Sequence, residues 1–269
     1  MNQNLSASAP RPAILSLRNV GKVFSSGTVA LEHLDLDIRQ GEILSLLGPS
    51  GCGKSTALRI IAGLGEASSG TIAWASGGSD HSRDVGFVFQ EPTLMPWASV
   101  FDNVWLPSRL KGVSRSAARD EVMAALESVG LDQFEKAYPR ELSGGMRMRV
   151  SIARALVTRP KLLLMDEPFA ALDEITRQKL NDDLLRLQNA LGWTVVFVTH
   201  SVFESVYISD RIVVMAARPG RAVSELTIEA PHPRDAAFRT SNTYVGYCRD
   251  ASAMLSAAIG SAAASVEGH

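Results

Sequence analysis

The stretch Gly48-Pro49-Ser50-Gly51-Cys52-Gly53-Lys54-Ser55-Thr56 decides the fold. An apolar run from Ile43 to Leu47 precedes it and a helical run from Ala57 to Ala62 follows. That is the strand–loop–helix context that the pattern G-x-x-x-x-G-K-[ST] needs to be a phosphate loop. Its glycines let the backbone curl so that successive N–H groups point into one concavity, and the helix start behind adds partial positive charge. Lys54 is placed to reach the β- and γ-phosphates of a nucleotide, and Ser55 to ligate Mg²⁺. Cys52 reads as a small residue filling a tight turn rather than as a redox thiol.

Outward from the loop, short apolar runs at Val85 to Phe89, Leu162 to Met165, Thr194 to Thr199 and Arg211 to Met215 are separated by helical patterns. They predict an α/β chain built on a mostly parallel sheet covered on both faces. Ile14 to Val20 and Leu34 to Ile38 are more closely spaced and alternate, which suits an antiparallel β subdomain beside that sheet. Between Pro92 and Pro160 the strand rhythm breaks. Arg115 to Val129 carries helical spacing with Val122, Leu126 and Val129 on one stripe, so an inserted α-helical subdomain is expected over about 92–160. Residues 1–12 read as a flexible start, 13–230 as the main unit and 231–269 as a C-terminal extension. Its Ala- and Ser-rich part from Ala251 to Ser265 is open between an amphipathic helix and a frayed tail.

Leu162-Leu163-Leu164-Met165-Asp166-Glu167 is an apolar strand ending in two acids. At the carboxyl end of a strand beside a phosphate loop, Asp166 is suited to hold Mg²⁺ through its water shell, and Glu167 to polarise a water for in-line attack. Taken alone, two acids after a strand would be a cap or a solvated turn; joined to Lys54 they read as a site. Leu142-Ser143-Gly144-Gly145-Met146, opening a helix, is a second anion site. Two distant helix starts of one chain do not easily share one phosphate, so a common γ-phosphate would call for two chains.

Composition excludes several classes. The 269 residues are 46% hydrophobic and 20% charged, with a net charge of −1, which fits a globular chain and neither disorder nor a coiled coil. Near neutrality removes the basic footprint of a dedicated nucleic-acid binder, and two cysteines make no disulfide framework. No run supplies the ~18 apolar residues of a spanning helix. The polar start from Met1 to Pro12 does not read as a secretory signal, so a cytoplasmic protein is expected.

In their order, the phosphate loop, Gln90, Leu142-Ser143-Gly144-Gly145, Asp166-Glu167, Ala171-Leu172-Asp173 and His200 resemble the ATP-binding subunits of ABC transporters, from about Leu15 to Met215. Within that family Val88-Phe89-Gln90-Glu91-Pro92-Thr93-Leu94-Met95-Pro96-Trp97 is most similar to importers of the nitrate, sulfonate and taurine group. The resemblance implies a P-loop NTPase core and hydrolysis of ATP with Mg²⁺. It also implies a head-to-tail dimer in which the phosphate loop of one chain meets Ser143 and Gly145 of the other, driving two transmembrane permease subunits fed by a solute-binding protein. Such a subunit sits peripherally on the cytoplasmic face of the inner membrane. Phe24 then stacks on adenine, Gln90 contacts Mg²⁺ and the attacking water, Asp173 belongs to the nucleotide site, and His200 bonds the γ-phosphate. Met146 and Met148 stand where the family often has glutamine or another polar residue; neither position supplies a phosphate donor, and altered helix contacts near the dimer seam are expected there. Glu91 to Trp105 is the expected docking surface, with Trp97 exposed and Trp105 in the core. Two rivals fit less well. An ABC-type ATPase acting on DNA or ribosomes usually carries a coiled-coil insertion or tandem cassettes, and a P-loop kinase has no use for Leu142 to Gly145.

Overall fold

The computed structural model describes residues 11–77, 84–217, 219–230 and 234–266, with side chains through residue 260. Two sheets form the frame. The first is antiparallel: β1 (Ala13–Val23) lies between β2 (Val29–Arg39) and β4 (Ser69–Trp74). The second runs β5 (Val85–Val88), β6 (Leu162–Asp166), β7 (Thr194–Thr199), β3 (Ile43–Leu47), β8 (Arg211–Ala216), β9 (Arg221–Thr227), parallel except for its last pair.

Strand side chains alternate between faces, and both faces of this second sheet are covered. Leu44, Leu46, Leu162, Leu164, Val196 and Val198 pack with the first sheet and with α1 (Lys54–Ile61). Their neighbours Ile43, Leu47, Leu163, Met165, Val195 and Phe197 pack on the opposite side with the remaining helices. These are α2 (Val100–Leu110), α3 (Arg119–Ser128), α4 (Gly144–Leu156), α5 (Glu174–Leu191), α6 (Val202–Ile208), α7 (Ala236–Arg239) and α8 (Asn242–Val266). Helices α2, α3 and α4 fall within the expected helical insertion and pack on one another.

Several expectations change. Residues 1–10 of the expected flexible start lie outside the described residues, and Arg11 and Pro12 are tied in. Arg11 Nη1 donates to Gly41 O (2.7 Å), and Pro12 O accepts from Gln40 N (2.9 Å). The helix expected from Arg115 begins at Arg119, after a turn in which Ser114 Oγ accepts from Ala117 N (3.3 Å). The Ala/Ser-rich end is helical: α8 buries Tyr244, Cys248, Ala251 and Ala258 and packs on β8 and α6. Its small residues permit close approach where no branched apolar stripe announces a packed face. Among the described residues no helix is long and apolar enough to cross a membrane.

A buried ion pair of the second sheet reaches across to the backbone of the first, with Glu42 Oε1 accepting from Arg39 N at the end of β2 (2.7 Å). Arg211 at the start of β8 and Glu42 just before β3 are each 3% exposed. Arg211 Nη2 and Nε donate to Glu42 Oε1 (2.8 Å) and Oε2 (3.2 Å). Arg211 Nη2 also donates to the Asp37 carbonyl of β2, and Nη1 to Glu225 of β9 (2.8 Å). Burial alone would lower the guanidinium pKa, and the two carboxylates more than reverse it. Removing one member of such a pair leaves a buried charge poorly compensated. Glu42→Gln is therefore expected to destabilise the fold by about 3 kcal/mol, read from the urea unfolding midpoint and slope; a loss under about 1 kcal/mol would assign the junction to apolar packing instead.

Candidate nucleotide site

Strand order brings the site together. Neighbours β5, β6, β7 and β3 are parallel, and their carboxyl ends lead into Gln90, Asp166-Glu167, His200 and Gly48. The register is close: Val88 pairs with Met165, Asp166 with Val198, and Leu47 with Thr199. Residues far apart in sequence thus emerge along one edge, the place where open α/β sheets bind ligands.

The loop at this edge is built to receive an anion. Gly51 (φ +78°) and Gly53 (φ +89°) occupy the left-handed region. Gly53 caps α1 without any side-chain hydrogen bond, whereas Ser99, Ser143, Asp173, Ser201 and Asp235 cap α2, α4, α5, α6 and α7 with theirs. The first N–H groups of α1 are thus left without a side-chain acceptor, as a phosphate-binding helix start requires. Lys54, 4% exposed, folds back over the loop and donates to Gly48 O (2.7 Å) and Pro49 O (2.9 Å). Its Nζ lies 3.8 Å from Glu167 Oε1. Cys52 is fully buried, and burial pushes its thiol pKa up against the opposing charge of Lys54, which agrees with a packing role.

Ser55 Oγ donates to Asp166 Oδ1 (2.8 Å). Burial raises the pKa of Asp166, the charge of Glu167 adds to the rise, and the bond from Ser55 opposes it. A hydroxyl and a carboxylate converging at one point are hard oxygen donors, the chemistry Mg²⁺ selects, so these residues fit that ion. Glu167 has φ +45°, a conformation uncommon for a residue with a side chain, and its N–H donates to Val198 O (3.0 Å). Its Oε2 meets His200 Nδ1 at 3.1 Å, and the His200 side chain is 56% exposed. Glu167 therefore touches both Lys54 and His200. Gln90 is exposed at the end of β5.

The other expected residues lie further out. Phe24, 45% exposed, sits in the hairpin between β1 and β2 with Lys22 Nζ 5.6 Å from its ring centroid. That hairpin leads into Ala30 and Leu31, which abut Gly53. Ser143 is exposed, and its Oγ accepts from Met146 N (3.3 Å). Gly144 and Gly145 face Leu172 and Thr176, so within this chain the serine-glycine corner packs toward α5 rather than into the phosphate loop. Asp173 Oδ1 accepts from Thr176 N (3.0 Å), a bond that holds its carboxyl below the usual range. Met148 is buried in the core and Met146 packs partly against it, so the seam expected to differ at these positions is, at Met148, an internal contact.

Two supports escape a reading of the sequence. Arg154 of α4 donates to Pro92 O (2.8 Å), Thr93 O (2.8 Å) and Thr93 Oγ1 (2.9 Å), tying the helix behind Ser143 to the segment after Gln90. Gly220, in the turn between β8 and β9, presses on the phosphate loop, and a Cβ there would lie 2.3 Å from Cys52 O and 2.6 Å from Ala30 O. The Pro219-Gly220 pair signals a turn, but nothing local says what the turn touches. Since neither clash involves a flexible side chain, Gly220→Ala is expected to push the loop out of shape and weaken ATP binding by about 10-fold or more, roughly 1.4 kcal/mol. Calorimetric titration checks this against Gly246→Ala, where an added Cβ meets nothing within 4 Å and affinity should not change.

Comparison with known proteins agrees with this geometry. Residues 31–170 match the ABC transporter family model. An ABC transporter ATP-binding protein of Methanocaldococcus jannaschii is 44% identical over 237 residues, covering 87% of this chain and 88% of that protein. The aliphatic sulfonates import ATP-binding protein SsuB 1 of Pseudomonas savastanoi pv. phaseolicola is 46% identical over 225 residues, covering 83% and 89%. Among solved structures, cbiO1 from Clostridium perfringens, part of the ABC transporter complex cbiONQ, superposes with a TM-score of 0.74 at 29% identity, over 90% of this chain and 98% of that one. A dimeric post-hydrolysis state of the ATP-binding cassette MJ0796 bound to ADP and Pi gives 0.69 at 34% identity, over 81% and 100%. With a phosphate loop, an acidic strand end and a histidine on adjacent strands of an ABC cassette fold, the chain belongs to the ATP-binding, ATP-hydrolysing subunits of ABC transporters.

Proposed function

We propose that this chain is the ATP-driven motor of an importer for small anionic solutes of the nitrate, sulfonate and taurine class. Two copies close head to tail around two ATP molecules and move two transmembrane permease subunits, which receive solute from a binding protein. The observation that carries this reading is the alignment of Gly48, His200, Asp166-Glu167 and Gln90 at the ends of four adjacent parallel strands. The solute class is supported by the segment from Val88 to Trp97 and by the sulfonate-import names of several relatives at 42–46% identity.

In this reading Phe24 stacks on adenine, and the N–H groups from Gly48 to Thr56 hold the phosphates, with Lys54 moving from its loop carbonyls to the β- and γ-oxygens. Mg²⁺, held by Ser55 and Asp166 with Gln90 beside it, neutralises charge on the phosphate oxygens when bound. Glu167 accepts a proton from a water whose oxygen attacks the γ-phosphorus in line. The bond from that phosphorus to the β-phosphate oxygen breaks, giving ADP and phosphate. His200 donates to the γ-phosphate and orients Glu167, to which it is already bonded. Ser143 and Gly145, with Asp173 nearby, serve the nucleotide held by the other copy, since in their own chain they pack toward α5.

The chain works peripherally on the cytoplasmic face of the inner membrane, with no nucleic-acid partner. Its docking surface is the segment from Glu91 to Trp105. Trp97 is 77% exposed there, while Trp105 is partly buried against the core and donates Nε1–H to Val113 O (3.1 Å). Arg154 holds the root of this segment to α4, so closure at Ser143 has a direct route to the partner.

Glu167→Gln is expected to keep ATP affinity and to lower kcat by about 10²–10⁴-fold, the usual contribution of general-base catalysis. It should also trap a dimer with MgATP that sedimentation detects; an unchanged kcat would remove Glu167 from the role. A photocrosslinker at position 97 should capture a permease subunit in the assembled complex, and no adduct there would move the docking surface elsewhere. ATPase stimulated by the membrane subunits with loaded binding protein supports the importer, whereas stimulation by DNA alone would overturn it.

A further inference from the structure

The His200 side chain is exposed, yet the backbone on either side of it is tightly held, and the ties converge on one buried acid. Glu204, on the first turn of α6, is 8% exposed. Thr199 Oγ1 donates to Glu204 Oε2 (2.5 Å), and the same oxygen accepts from Ser201 N (3.0 Å). Ser201 Oγ in turn accepts from Glu204 N (3.3 Å), and Ser201 O from Ser205 N (3.0 Å). Thr199 and Ser201 are the residues immediately before and after His200. By fixing the hydroxyl proton of Thr199, Glu204 leaves that oxygen's lone pair for the Ser201 N–H, and the turn that carries His200 is set.

We propose that Glu204 is a positioning residue for hydrolysis, holding His200 against Glu167 through the hydroxyl of Thr199. The inference rests on the role given to His200 above. The other carboxylate oxygen of Glu204 is shielded from water. Glu204 Oε1 and Asn181 Oδ1 are both buried without a hydrogen-bond partner, Asn181 is 4% exposed, and the two residues line one cavity of about 270 Å³ with Arg177, Ser201 and Tyr244. Burial raises the carboxyl pKa of Glu204, opposed by its bonds and by Arg177 and His200. Helix α5 begins beside Asp173, so the network links the turn at His200 to the helix that follows the acidic strand end.

A merely structural acid would stabilise α6 without touching the rate constant. The capping bond of α6 uses the Glu204 N–H and the Ser201 hydroxyl, which Glu204→Ala preserves. With the full chain and MgATP, Glu204→Ala is expected to lower kcat by about 10-fold or more at a KM for ATP within about two-fold of wild type. Glu204→Gln should restore kcat, because its amide oxygen still accepts from Thr199 Oγ1. Thr199→Val keeps the volume of the side chain and removes the hydroxyl, so it should reproduce the kcat loss; if Glu204→Ala does not fold, this variant decides. Combined with His200→Ala, neither substitution should slow turnover further, since groups acting through one another are non-additive. Wild-type kcat in Glu204→Ala and Thr199→Val while His200→Ala is slow overturns the positioning role alone. So does a loss that adds in full to that of His200→Ala. A His200→Ala protein turning over at the wild-type rate would instead overturn the reading of His200, and this inference with it.

Discussion

The pairing of β3 with β7 is the constraint on which the rest of the molecule depends. All five residues of β3 are buried, and the strand is hydrogen-bonded on both edges, to β7 and to β8. A strand buried on both faces cannot slip by one residue without exchanging the side chains of two different cores. Leu44 and Leu46 belong with α1 and the first sheet, Ile43 and Leu47 with the helices opposite. Because the register is fixed in this way, Leu47 must face Thr199, and the phosphate loop and His200 leave the sheet side by side. The same logic carries across β6 to Asp166 and across β5 to Gln90. Active-site distances here follow from core packing.

The phosphate loop has a second, steric support that the sheet alone does not give. Gly48 lies against Cys52 and Met215, Gly53 against Ala30 and Leu31, and Gly220 against Cys52 and Ala30. A Cβ at any of these glycines would fall within 2.7 Å of a neighbouring atom. The loop is therefore clasped between β8, the turn into β9 and the start of β2. This is the purpose of joining the two sheets so firmly. A buried ion pair such as Glu42 with Arg211 brings little net stability once desolvation is counted. What it supplies is orientation, since Arg211 reaches β2, β9 and Glu42 at once.

The parts of this architecture that the sequence discloses are those whose meaning is local. The phosphate loop, the acidic end of β6 and the capping serine of α4 each sit on a strand–turn or turn–helix junction that neighbouring residues specify. The uncharged run from Leu187 to Phe203 likewise reads as a helix end, a turn and a buried strand, and it holds the last turn of α5, its Gly192 stop in the left-handed region, and β7. Strands β4 and β9 are not so legible. Ser69–Trp74 opens on Ser-Gly and leaves alternate residues in water, while Arg221–Thr227 pairs on one edge of its sheet and carries charges among its apolar residues. Such edge strands are specified by their partners more than by their own pattern. Arg154, Gly220 and Glu204 are invisible for a related reason. Each acts through a contact that only the folded chain creates.

The charges at the strand ends explain why such a site can stay folded before its ligand arrives. Lys54 is almost wholly desolvated, and an isolated ammonium in that position would be costly. Two loop carbonyls and the Glu167 carboxylate compensate it, and Glu167 is itself divided between Lys54 and His200. On the proposed reading, a nucleotide offers Lys54 charged oxygens in place of neutral carbonyls, which are the stronger acceptors. The lysine has already lost its water, so the exchange carries little further desolvation. Moving Lys54 onto phosphate loosens its hold on Glu167 and leaves His200 as that carboxylate's fixed partner. A base kept by a lysine before binding is thereby handed to a histidine when the phosphates are in place. That sequence of partners makes the firmness of the His200 turn a matter of rate rather than of affinity.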